Sequence, residues 1–247
     1  MTEKTWDAFR AARTRYRDYC EDLTKRFGPG GAERIQQLVD GREGPAYTVQ
    51  TPVLYNYALD DITRESSPRL ILVADNPGRR EQAAENRRYL VGPSGKIAER
   101  FFGEQLGIDF RADVIILNKT PVHTPRTALL RELCGLDEAI TGMMEESQRV
   151  MAELLAAFQQ ALSLDKVIPV WITGYSEMKK GGIFEVYTET LKSLYTAGAL
   201  RERLFFYRHF SMNQFTIDLH KQRRPKEDLA PCLERMGVAY RQRVLGF

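Results

Sequence analysis

Cysteine is scarce and dispersed: Cys20, Cys134 and Cys232 are the only three in 247 residues. An odd, unclustered set builds neither a disulfide framework nor a spaced metal cluster, so free, mostly buried thiols are expected. Also missing is any apolar run near the roughly 18 residues that a membrane helix needs. The start, Met1-Thr2-Glu3-Lys4, lacks the charged-then-apolar pattern of a secretion signal. The expectation is a cytoplasmic protein with no membrane segment. Repeats and low-complexity tracts are absent as well, and so is a charge excess of one sign. The 36 Lys and Arg against 33 Asp and Glu leave a net charge of only +3, too little to mark a nucleic-acid partner unless the basic residues cluster.

What is present is material for a core. Hydrophobic residues make up 43% of the chain, which excludes a disordered chain, and the length suits one domain spanning residues 1–247. Trp6, Phe9, Tyr16, Cys20, Leu23 and Phe27 recur at steps of three and four, the spacing of one face of a long helix that stops at Gly28-Pro29-Gly30-Gly31. A second helix fits 32–40. Residues 41–67, with Gly41, Gly44, Pro45 and Pro52, read mostly as loop. Residues 1–67 are thus an N-terminal helical extension packed on the rest.

From residue 69 onward short apolar runs alternate with helical stretches. Residues 69–74, 113–117, 167–172 and 204–207 lack polar alternation, as strands covered on both faces do. Helical periodicity fills 94–106, 127–140, 145–162, 185–194 and 226–243. Four strands with intervening helices predict a three-layer α/β/α sandwich around a central, mostly parallel four-stranded sheet, with ligands binding beyond the C-terminal strand ends. Those ends carry Asp75-Asn76-Pro77-Gly78, Asn118-Lys119-Thr120-Pro121, Thr173-Gly174-Tyr175 and Arg208-His209-Phe210-Ser211. An Asn offers a donor and an acceptor to a planar heterocycle, His donates to an oxygen gaining charge, and Asp or Asn orients water. Converging on one cleft, they would make a pocket for a base. Gly92-Pro93-Ser94-Gly95-Lys96 is not a phosphate loop, which needs Gly at 90 and Ser or Thr at 97 where Leu90 and Ile97 stand.

The order of these segments, over residues 69–215, resembles the uracil-DNA glycosylase superfamily. Asn76-Pro77-Gly78 is similar to the Asn-Pro-Gly of its mismatch-specific and single-strand-selective branches. Leu90 to Lys96 resembles the Phe-Val-Gly-x-x-Gly-Lys stretch of the thermophilic-type branch, Ile116 to Lys119 the segment whose Asn reads the base edge, and His209-Phe210-Ser211 the His-Pro-Ser motif. The resemblance implies a DNA glycosylase of base-excision repair that cleaves the N-glycosidic bond of uracil or a related deaminated or damaged base. In that role Asn76 or Asp75 orients the water, His209 stabilises the leaving base and Asn118 reads its edge. Gly78, where the most uracil-selective branch has Tyr, leaves a permissive pocket, and Ser211 completes the last motif. Leu90 stands where the stacking Phe is, so Tyr89 is the aromatic alternative. Phe210 replaces a Pro. Met212 or Phe215 is the candidate wedge for the gap left by a flipped base.

The expected partner is single-stranded or mispaired DNA, with Arg79, Arg80, Lys96 and Arg208 contacting phosphates, among a wider basic set of Arg87, Arg88, Lys221, Arg223 and Arg224. Three cysteines cannot supply the four ligands of the thermophilic branch's iron–sulfur cluster, so no such cluster, metal or other cofactor is expected. The alternative is a non-catalytic or repurposed member that binds nucleic acid or a small heterocycle.

Overall fold

The computed structural model describes residues 1–40, 42, 47–164 and 166–247; Gly41, Gly44 and Pro45 of the expected loop lie outside the described residues. The first helix, α1 (Glu3–Val39), begins with the Thr2 hydroxyl accepting the Thr5 N–H and changes direction at Gly28, where φ is 59°, before Pro29 restarts it. Its buried stripe of Phe9, Tyr16, Cys20, Leu23 and Phe27 follows the periodicity of the sequence, with Trp6 half-buried beside it. That stripe packs on α4 (Glu138–Leu162), a helix buried along Met144, Met151, Leu154, Leu155 and Phe158. Arg15, Arg26 and Arg34 pair with Glu153, Glu146 and Asp137 across this junction. These pairs are exposed and contribute little, about 1 kcal/mol or less each; the joint is apolar.

The sheet is entirely parallel, in the order β2-β1-β3-β4. Its strands are β1 (Leu70–Ala74), β2 (Val114–Asn118), β3 (Val170–Thr173) and β4 (Leu204–Tyr207), and every residue in them is buried. The register sets Ala74 opposite Asn118 and Thr173 opposite Tyr207, so the polar residues that follow the strands emerge side by side. The chain runs from β1 to β2 on one side and returns to β3 on the other. Loops beyond β1 and β3 therefore diverge and leave a crevice at their C-terminal ends.

Helices cover both faces. Phe101 and Phe102 of α2 (Pro93–Leu106) meet Trp171 of β3, with Tyr207 and with Phe215 of α7 (Gln214–Gln222), in one aromatic cluster. The helix α8 (Leu229–Leu245) lies along β4, and α5 (Glu185–Leu194) packs on α4. The helix expected over 127–140 is instead α3 (Ala128–Cys134), a turn at Gly135 and Leu136, and then the start of α4. The reason is Asp137, whose side chain accepts the Ala139 N–H at 2.7 Å and caps a helix that runs unbroken to Leu162. The turn α6 (Ala199–Glu202) and α7 were not foreseen from the sequence. Among the described residues no helix is long and apolar enough to cross a membrane, and the three cysteines are unpaired, with Cys20 and Cys232 buried.

Phe158 is fully buried and its ring meets Phe9 of α1 at 5.4 Å. Phe158→Ala should therefore destabilise the protein by about 3–5 kcal/mol in urea unfolding. A loss under about 1 kcal/mol would show that α1 is not part of the cooperative unit.

Candidate functional site

Beyond the C-terminal ends of β1 and β4 lies a cleft of about 290 Å³ lined by Ala74, Asp75, Asn76, Gly78, Glu81, Leu90, Ser94, Thr124 to Thr127, His209 and Ser211. Six of the residues singled out from the sequence meet here: Asp75, Asn76, Gly78, Leu90, His209 and Ser211.

Asp75 is placed by an ion. The Lys119 ammonium, fully buried, donates to Asp75 Oδ1 at 2.5 Å and to the Thr173 carbonyl at 2.5 Å, with the Phe184 ring 4.8 Å away. Burial pushes the Lys119 pKa down and the adjoining carboxylate opposes that fall. The arrangement depends on Gly174, which has φ 76°. A Cβ there would lie 2.3 Å from Asp75 Oδ1, so no other residue lets β3 turn this close to the carboxylate. Asn76 is held differently. Its Nδ2 donates to the Thr124 carbonyl and hydroxyl at 3.1 and 3.0 Å, and its Oδ1 accepts the Thr127 hydroxyl at 3.0 Å. The Asn76 amide is thus largely occupied within the protein, whereas Asp75 has a carboxylate oxygen beyond the one that Lys119 engages.

His209 follows β4. The Ser211 N–H donates to its Nδ1 at 3.0 Å, so the neutral ring carries its proton on Nε2. Burial lowers its pKa, Asp75 raises it and Lys119 lowers it, and the net direction is down, which keeps the ring neutral at pH 7. Phe210, at the position where the resemblance would have a proline, sinks into the aromatic cluster and stacks on Phe215 at 4.4 Å. Packing instead of a fixed φ anchors the His209 turn. Beyond Ser211, Met212 and Asn213 both adopt left-handed φ (52° and 56°), and the Phe215 N–H returns to the His209 carbonyl at 3.1 Å.

Other sequence candidates fall outside the cleft wall. Tyr89 is fully buried; the Tyr16 hydroxyl bonds it at 2.5 Å and its own hydroxyl donates to the Leu54 carbonyl at 2.6 Å. Its ring is therefore tied to α1 and is not a stacking platform. Phe215 is core. Met212 is 83% exposed, the most exposed of the large apolar side chains among the described residues. Asn118 is 1% exposed beside Ala74, outside the cleft lining, and its Nδ2 has no hydrogen-bond partner, an uncompensated buried donor. The basic candidates are not part of the cleft lining: Arg79 and Arg80 line a groove with Tyr47, Lys96 is exposed on α2, and Arg208 borders another groove with Tyr175 while lying 3.8 Å from Asp218. Arg88 pairs with Asp61, and Arg223 donates to the Glu227 carbonyl.

Residues that sequence reasoning passed over also shape the site. Lys119 was visible only as the neighbour of Asn118. His123 donates from Nδ1 to the Pro77 carbonyl at 2.7 Å while Nε2 accepts from the Tyr47 hydroxyl, pinning the Asn76-Pro77-Gly78 turn from behind. Glu81 is a buried acid in the cleft wall. Among the described residues no group of three or more His, Cys, Asp or Glu is arranged to hold a metal. Compared with known proteins, the chain matches no protein-family profile and no curated sequence.

Burial lowers the His123 pKa from 6.5 to about 4. Between those values the unfolded chain takes up the proton and the folded one does not. The associated stability, on the order of 3 kcal/mol, is present above pH 6.5 and lost as pH falls to 4. Glu81, raised to about 7, works in the opposite sense and destabilises the fold as pH rises from 4.5 through 7. The gap in unfolding free energy between the wild type and His123→Gln should therefore shrink by on the order of 3 kcal/mol from pH 7 to pH 4; a constant gap would place the charged imidazolium in the folded state.

Proposed function

We propose that this cleft receives a nucleobase turned out of a DNA strand, and that the protein is a DNA glycosylase-like hydrolase akin to the uracil-DNA glycosylase superfamily. It would cleave the N-glycosidic bond of uracil or a related deaminated or damaged base. The observation that carries this reading is the His209 imidazole, neutral, with Nδ1 already engaged by the Ser211 N–H and Nε2–H left as the donor, in the same cleft as Asp75. Such a donor and such an anion serve the two halves of a glycosidic cleavage.

When the C1′–N bond breaks, its electrons leave with the base and gather on the carbonyl oxygen, where a preorganised N–H donor stabilises them. The sugar meanwhile becomes oxocarbenium-like, and a nearby carboxylate stabilises that charge and orients the water whose oxygen adds to C1′. Asp75 suits this task better than Asn76, since the Asn76 amide is spent on Thr124 and Thr127. Asn118, with its buried and unpartnered Nδ2, supplies a donor and an acceptor for the base edge. Gly78 leaves the wall open to larger bases. Met212, exposed in a strained turn three residues after His209, is the side chain to fill the gap in the stack. Arg79, Arg80, Lys96 and Arg208 are the basic side chains assigned to the phosphates in this reading. No aromatic residue of the 89–90 segment stacks on the base, so edge recognition carries more of the specificity.

Oligonucleotides with uracil, hypoxanthine or xanthine, single-stranded or mispaired, should yield abasic sites on incubation with the protein, detected as alkali-labile breaks. Asn118→Ala and His209→Ala should each lower release by about 10²-fold or more with the circular dichroism spectrum unchanged. Full activity in both variants would refute the site assignment. No release at high enzyme concentration, with DNA still retained on a gel, would instead assign a binding protein that has lost or never had the chemistry.

A further inference from the structure

Glu81 is 7% exposed and touches both walls of the cleft. Its Oε2 accepts the Gly78 N–H at 2.7 Å and its Oε1 accepts the Leu90 N–H at 2.8 Å. Gly78 belongs to the loop that leaves β1, and Leu90 to the segment that enters α2. Leu90 is a buried, non-glycine residue with φ 54°, a conformation that persists only when the surroundings fix it. Two charged groups do so: the Glu81 carboxylate takes its N–H, and Arg111 donates to its carbonyl at 2.7 Å. The carboxylate thus closes one loop on the other with two charge-assisted bonds.

We infer that Glu81 is a positioning residue, a clasp whose ionised carboxylate holds the Gly78 and Leu90 walls at the spacing that the bound base requires. The role in substrate binding rests on the reading of the cleft as a base pocket, while the clasp itself does not. A carboxylate can accept both N–H groups; a carboxylic acid presents one oxygen as a donor and loses one of them. Burial raises the Glu81 pKa to about 7, against the two N–H bonds and Arg111, which lower it. The charged or titratable groups packed around it are Arg111 from the segment before β2, itself 3.2 Å from Glu99 of α2, Tyr89 beside Leu90, and Asp75, His209 and Arg126 of the shared cleft.

The test is a pH titration of the ¹⁵N-labelled full chain followed by amide NMR. In the wild type the Gly78 and Leu90 amide protons should move together with one midpoint near 7, and in Glu81→Gln, which keeps only one acceptor, that shared titration should vanish. Separate or absent titrations in the wild type overturn the inference, whatever the variant does. In base-release assays Glu81→Gln should raise KM by about tenfold, the worth of one such hydrogen bond, and more than it lowers kcat; a wild-type KM overturns the positioning role. A shared titration without base release by either protein upholds the clasp and refutes the glycosylase reading. Base release without the shared titration does the reverse.

Discussion

The fully buried ammonium of Lys119 is the constraint from which the rest of the site follows. Removing such a charge from water costs several kcal/mol, and only close partners offset it. Asp75 after β1 and the Thr173 carbonyl at the end of β3 are those partners, so one side chain from the end of β2 ties three adjacent strand ends together. The tie lies where the loops after β1 and β3 diverge, the place at which an open parallel sheet offers a crevice. Gly174 is part of the same bargain, because its missing Cβ is the space that the Asp75 carboxylate fills.

Once Asp75 is fixed, the chemistry of the cleft acquires its sign. The carboxylate and the ammonium act on His209 in opposite directions, burial decides between them, and the ring is kept neutral. A neutral donor and an anion in one cleft are complementary to the bond cleavage proposed above, which separates into a cation and an anion. The remaining walls are held by similarly local devices: His123 behind Pro77, Thr124 and Thr127 on Asn76, and Phe210 sunk among aromatic rings.

Much of this was legible in the sequence. The strands were readable because a sheet covered on both faces needs unbroken apolar runs, and they fall within three residues of where residues 69–74, 113–117, 167–172 and 204–207 put them. Asp75, Asn76, Gly78, Leu90, His209 and Ser211 were readable as strand-end polar residues or motif positions, and they share a cleft. Partners distant in sequence were not readable. Tyr89 turns inward because Tyr16, 73 residues earlier, meets its hydroxyl; nothing near residue 89 says so. Glu81 and Lys119 look like ordinary surface charges until the fold buries them against backbone groups. Asp137 broke an expected helix because a cap outweighs a continuous periodicity.

The most direct test of this account is a double-mutant cycle on the buried pair, read as unfolding free energy in urea. Lys119→Met and Asp75→Asn each leave one member of a buried ionic contact without its partner, and Lys119→Met alone should cost about 3–5 kcal/mol. The double variant should be less damaged than the sum of the singles by about 1–3 kcal/mol. Additivity within about 0.5 kcal/mol would contradict the claim that this one ion pair organises the site.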